Sequence, residues 1–184
     1  MSGGDIADSM LFVKNNEIGR NNMLSVKIEK ELNKQLNREY FSAYLYMSMA
    51  AYFQSIDLSG FERWMQVQAK EELSHAEKIY NFIHERNGKV VLEAIEKPQT
   101  DWESPLAAFE DSLKHEIFIT GCINELIKSA LEEKDNATDI FLQWFVTEQV
   151  EEEANATKVI KKIKLMKAAP GGIFMLDKEL AERE

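Results

Sequence analysis

Gln68-Ala69-Lys70-Glu71-Glu72-Leu73-Ser74-His75-Ala76 decides the reading of this chain, through Glu72 and His75. Residues three apart on a helix share a face, so this carboxylate and this imidazole can reach one point. Alternate steps of three and four give Phe61, Met65, Gln68, Glu72, His75, Ile79 and Phe82, a helical seam that is apolar at both ends and polar in its middle. A carboxylate buried in such a seam is costly unless it is protonated, paired or bound to a metal.

Three further seams share this layout. The first helix is expected from Ser25, placed as its N-cap, to about Phe53, with Leu32, Leu36, Glu39, Ala43, Tyr46 and Ala50 on one face. The second starts after the turn Ser55 to Gly60, with Ser59 as its expected cap, and ends near Arg86 at Asn87-Gly88, a left-handed C-cap signal. The third opens at Ser104-Pro105 and carries Phe109, Leu113, Glu116, Thr120, Ile123, Ile127 and Ala130. After the polar turn Glu132 to Asn136, the fourth carries Leu142, Phe145, Gln149, Glu152, Ala156, Val159, Ile163 and Met166. Pro170-Gly171-Gly172 breaks the chain before a short terminal helix, Ile173 to Arg183. Residues 89–103 show no helical stripe, and that length suffices to cross from one end of a bundle to the other. The expected fold is all-α: an antiparallel four-helix bundle with one long crossover and a short fifth helix.

The polar centres are in register. Glu39 to Glu72 is 33 residues, Glu116 to Gln149 is also 33, and His75 and Glu152 each follow by three. Equal hairpins bring all six groups to one level. A lone seam carboxylate most often only specifies register, but four interruptions in matched register form a ligand set. One Glu from each of two helices plus an i, i+3 pair from each of the others is the pattern of di-iron carboxylate bundles. Oxygen donors with one imidazole suit Fe(II), with Mn(II) or Zn(II) also admissible.

Composition narrows the rest. The 184 residues suit one domain, and the net charge of −10 excludes a general nucleic-acid binder while favouring cations. The single cysteine, Cys122, rules out an internal disulfide and any CxxC site, and reads as a small core residue in a reducing compartment. No apolar run is long enough to span a membrane, so cytoplasmic residence is the default. Residues 1–22 show no sustained period and read as a flexible N-terminal extension or an added leader, leaving 23–184 as the domain. His84 and His115 have no matching constellation and read as surface or packing residues. Apolar groups outside the seams, Tyr44, Phe53, Ile117 and Phe174, point to an interface between subunits.

Asn37-Arg38-Glu39-Tyr40, Glu71-Glu72-Leu73-Ser74-His75, Lys114-His115-Glu116 and residues 141–153 (FLQWFVTEQVEEE) resemble the motifs of prokaryotic non-haem ferritins, from about residue 24 onward. The resemblance implies a ferritin-like di-iron domain that stores iron and acts as a ferroxidase on Fe(II), with O2 or H2O2 as oxidant. It implies two irons per subunit. Glu39, Glu72 and His75 would bind the first, Glu72 would bridge, Glu116 and Glu152 would hold the second, and Gln149 would sit beside the oxygen species. Tyr46 matches a family tyrosine near the metals, although by its position alone it is a core tyrosine with a satisfied hydroxyl. A third, weaker iron site would use Glu71, Glu148, Glu151 and Glu152; as residues alone these are equally a solvated acidic patch. The implied assembly is a homo-oligomeric shell of twenty-four subunits.

Haem is not expected. Haem-binding relatives place a methionine between the Glu and His of the second helix, where this chain has Leu73, and Gln149 and Glu152 replace their Glu and His in the fourth. Asp139 falls at an acidic channel position of animal ferritins but Leu142 occupies the second, which leaves the path of iron into the shell open. Two other readings stand beside this one. A rubrerythrin-like peroxidase is opposed by the absence of paired CxxC motifs, and a metal-free interaction bundle would be separated by metal analysis.

Overall fold

The computed structural model describes residues 23–166, 169 and 171–183. The extension read into residues 1–22 lies outside them. Five helices occur in the order α1 (Val26–Ser55), α2 (Ser59–Glu85), α3 (Pro105–Glu132), α4 (Asn136–Met166) and α5 (Gly172–Leu180), with no strand among the described residues. None is long and apolar enough to cross a membrane.

Local chemistry sets most boundaries. Ser25 Oγ accepts from the Ile28 amide at 3.2 Å, and Ser104 Oγ from the Ala107 amide at 3.2 Å with Pro105 next in line. Asn87 takes a left-handed φ of 56° where α2 stops, and the Gly88 amide bonds back to Ile83 O at 2.8 Å. Ser59 is not the cap of α2. It is the first helical residue, and the free amides behind it are satisfied from α5: Asp177 Oδ1 accepts from Gly60 at 2.8 Å and Phe61 at 3.0 Å. An Ala at position 60 would place its Cβ 1.6 Å from the Asp177 carbonyl oxygen, so the glycine lets α5 come this close. Gly171 (φ 74°) turns the chain into α5; Pro170 lies outside the described residues.

Helix α1 packs chiefly on α2, and α3 on α4, as two long hairpins. Between them the crossover runs extended along α1. Val91 N donates to Asn33 Oδ1 at 2.6 Å, Glu93 N to Asn37 Oδ1 at 3.3 Å, and Ser48 Oγ to Gln99 O at 2.6 Å. Asn33 also donates to Lys89 O at 2.9 Å. From Asn33 to Ser48 α1 rises about 22 Å, a distance that only near-extended chain covers between Val91 and Gln99. The α2–α3 link therefore delivers α3 alongside α1, and α5 folds back against α2 and α4.

The interior is two apolar clusters with a polar layer between them. One contains Tyr46, Met49, Phe53, Phe61, Trp64 and Phe109, the other Leu32, Leu36, Ile79, Phe82, Ile123 and Phe145. Seam residues fall inside as expected, with Leu113, Thr120, Ile127 and Met166 only half-buried. Two further expectations are corrected. Phe53 is not interface but fully buried against Phe61 and Phe109, at ring centroids of 5.1 and 6.0 Å. Cys122 is half-buried rather than core.

Candidate metal centre

The polar layer is built from all four long helices. Glu39 comes from α1, Glu72 and His75 from α2, Glu116 from α3, and Gln149 and Glu152 from α4; each is at most 4% exposed. Ligand atoms of Glu39, Glu72 and His75 lie within 4.8 Å of one another, as do those of His75, Glu148 and Glu152. Glu116 joins neither triplet. Its carboxyl is held instead by the Tyr46 hydroxyl, which donates to Oε1, and by Gln149 Nε2, which donates to Oε2 at 3.2 Å and to its backbone oxygen at 3.2 Å.

Amides and hydroxyls supply the donors a metal-free acidic layer needs. Gln35 Nε2 donates to Glu39 Oε1 at 2.8 Å. Gln68 Nε2 donates to Glu72 Oε1 at 3.0 Å and to Glu152 Oε2 at 2.6 Å, spanning α2 to α4. Thr120 donates to Glu153 at 2.6 Å beside Gln149. His75 is walled edge-on by Trp144 and Phe145.

Burial governs the electrostatics. It pushes the Glu39 carboxyl up to about 8, with the Glu72 charge second. Glu72 rises to about 8 through burial and then Glu152, Glu116 through burial and then Glu72, and Glu152 through burial and then Glu116. Tyr46 is driven well above its ordinary value by burial and the Glu116 charge, so its hydroxyl stays a donor. Without a metal, burial and mutual repulsion favour protonated carboxyls here, and a divalent cation bound among them would replace those protons.

Around this core Glu71 and Glu148 are partly exposed and Glu151 is exposed. His75 Nε2 stands 3.9 Å from Glu148 Oε1. His115, left out of the sequence reading of the site, packs inward: Nε2 is 2.7 Å from Ser42 Oγ, and burial lowers it to about 4. His84 stays exposed beside Tyr80. Leu73, the position bearing on haem, is exposed on α2. The sequence reading gave no role to Gln35, Gln68 or Arg183. The i, i+4 spacing of Gln35 to Glu39 and of Gln68 to Glu72 was the available signal. Arg183 offered none.

The sequence profile of the Ferritin-like domain family matches residues 29–166. The chain belongs to that family. A bacterial non-heme ferritin of Bacteroides fragilis (strain 638R) is 40% identical to this ferritin-like chain over 161 residues, covering 88% of this chain and 100% of the relative. One from Staphylococcus aureus (strain MRSA252) is 40% identical over 161 residues, covering 88% and 97%. Among solved structures, an open-pore ferritin of the hyperthermophilic archaeon Archaeoglobus fulgidus superposes with a TM-score of 0.86 at 51% identity, covering 88% of this chain and 98% of that one. The match spans all four long helices, so the polar layer lies within the family region.

Proposed function

We propose that this protein is an iron-storage ferritin that oxidises Fe(II) at a paired site in each subunit and keeps the ferric product inside a shell. The observation that carries this is the buried layer of Glu39, Glu72, His75, Glu116 and Glu152, drawn from four helices of a ferritin-like chain. Glu39, Glu72 and His75 hold the first iron, and Glu116 and Glu152 the second. Glu72 bridges them, and Gln149 faces the oxygen side. As Fe(II) binds, protons leave the carboxyls, and the amides of Gln35 and Gln68 and the Tyr46 hydroxyl hold the emptied oxygens in place. Each of two Fe(II) gives up one electron, and O2 takes both electrons and two protons to leave as hydrogen peroxide. The apolar clusters above and below keep bulk water from the pair.

Ferric product then passes to the acidic side of the bundle, where Glu71, Glu148, Glu151 and Glu152 form a third, weaker site. Residues 23–184 form the domain, the compartment is the cytoplasm, and no haem is bound, since Leu73 has no thioether. Exposed Tyr44, Ile117, Phe118, Ile140, Val150 and Phe174 give a free subunit too much apolar surface to stay alone, which supports a homo-oligomeric shell of twenty-four copies.

One experiment tests the core of this. Metal-free protein is mixed aerobically with Fe(II), and ferric absorbance is followed with sedimentation before and after. Rapid oxidation at about two Fe(II) per subunit within a large hollow particle is expected, as a paired site requires. A monomer at micromolar concentration, or oxidation no faster than in buffer, overturns it.

A further inference from the structure

Two glutamines of the layer are each held by an arginine. Arg38 Nη1 donates to Gln35 Oε1 at 3.1 Å, and Gln35 turns its nitrogen to Glu39. Arg183 Nη2 donates to Gln68 Oε1 at 2.9 Å, and Gln68 turns its nitrogen to Glu72 and Glu152. A guanidinium only donates, so an arginine on the amide oxygen fixes which end of the amide meets the carboxylates. The device occurs twice, once in each half of the α1–α2 hairpin, 33 residues apart.

Arg183 does something that Arg38 does not. Its Nη2 also donates to Glu71 Oε2 and forms an ion pair with it. Its Nη1 donates to Trp64 O at 3.3 Å, and the guanidinium lies 4.2 Å over the Trp64 ring. Its own carbonyl accepts from Arg63 Nε at 3.4 Å. This position follows from α5, which packs on both α2 and α4 and is locked to the start of α2 by Asp177. One positive charge thus sits against Glu71 and, through Gln68, touches Glu72 and Glu152.

We propose that Arg183 is a specificity-determining latch of the metal centre: its guanidinium occupies the cation position at Glu71, keeping the third site weak while the paired site fills. The inference rests on the iron reading above. A carboxylate already engaged by a guanidinium offers an incoming cation less charge, and the cation must also approach a like charge. Loading the third site requires Arg183 to leave Glu71. Gln68 then loses the donor on its oxygen, so events at Glu71 reach Glu72 and Glu152 through one amide.

The test is calorimetric titration of the assembled, metal-free protein with Zn(II), which does not oxidise. Wild type is compared with R183Q, which removes the charge, and R183K, which keeps the charge but not the fork. Wild type is expected to bind two Zn(II) tightly per subunit and a third weakly. R183Q should tighten the third by about five- to tenfold, the scale of one partly screened charge pair, and weaken the tight pair by a smaller factor, because Gln68 loses the donor on its oxygen. R183K should show a smaller gain. A purely structural Arg183 predicts loss of affinity, so a gain separates the two roles. A third site unchanged or weakened in R183Q overturns the latch while leaving the paired site standing. Fewer than two tight sites in wild type overturns the iron reading itself, and the latch with it. Should R183Q fail to assemble, R183K decides by the same direction of change.

Discussion

His75 Nδ1 stands 3.5 Å from Glu72 Oε2, one turn along α2, with both side chains almost sealed from solvent. Glu72 is also within ligand distance of Glu39 and receives the Gln68 amide that reaches across to Glu152. Glu72 therefore links Glu39 and His75 to the amide that reaches Glu152, a junction between the two halves of the bundle.

Glu72→Ala is therefore expected to abolish rapid oxidation at two Fe(II) per subunit, whereas Glu39→Ala and Glu116→Ala each mainly weaken one position. Gln68 keeps Glu152 as acceptor, and a buried acid crowded by Glu152 and Glu71 is gone. The metal-free variant should melt at or above the wild-type temperature and gain less from metal. Stopped-flow oxidation with paired melts checks this. A wild-type initial rate contradicts the bridging role, and a metal-free form that loses several degrees makes these carboxylates structural.

Metal-free protein should lose stability as pH rises. Glu39, Glu72, Glu116 and Glu152 are each pushed from the ordinary 4.5 up to about 8, so the folded chain keeps protons that the unfolded chain releases. Their contribution is complete below about 4.5 and is lost as pH rises through about 8. Melting at about pH 5.5 should exceed melting at about pH 8, and Zn(II) binding at neutral pH should release protons, seen as a buffer-dependent heat. Melting temperatures that climb over this range contradict the assignment.

Tyr46→Phe removes the hydroxyl that donates to Glu116 and lies 3.1 Å from Ser112 Oγ. Gln149 remains as a donor to Glu116, so the expected loss is modest, about 1 kcal/mol. Metal affinity should fall at one of the two tight positions and hold at the other. Equal weakening of both positions would show that Tyr46 acts on the whole layer.

Asp177→Ala removes the acceptor of two backbone amides at the start of α2 and should cost about 1–2 kcal/mol, as for loss of a helix cap. Hydrogen exchange at Gly60 and Phe61 should accelerate, and α5 should become more open to proteolysis. Unchanged exchange at both amides would mean that water replaces Asp177 without penalty.

Helical periodicity carried much into the sequence. Seam positions recur at 3.6 residues, so the buried faces of α1, α2 and α4 could be picked out before any packing was known, and the shared spacing of 33 put Glu39, Glu72, Glu116 and Gln149 at one height. Caps built within four residues, Ser25 and Ser104, were legible for the same reason: donor and acceptor are neighbours in the chain. The α2 cap was not, because its acceptor, Asp177, lies more than a hundred residues from Gly60. Phe53, read as interface, is core, and it is the next step of three after Ala50 in the α1 seam, so the periodicity already carried it. The sequence by itself determined the bundle, its register and the residues of the buried polar layer, because each follows from periodic patterns along the helices. Only the tertiary structure decided that Tyr46 serves Glu116, that Gln68 joins Glu72 to Glu152, and that Arg183 sits on Glu71. Those contacts join distant segments, and their partners are selected by how the helices pack.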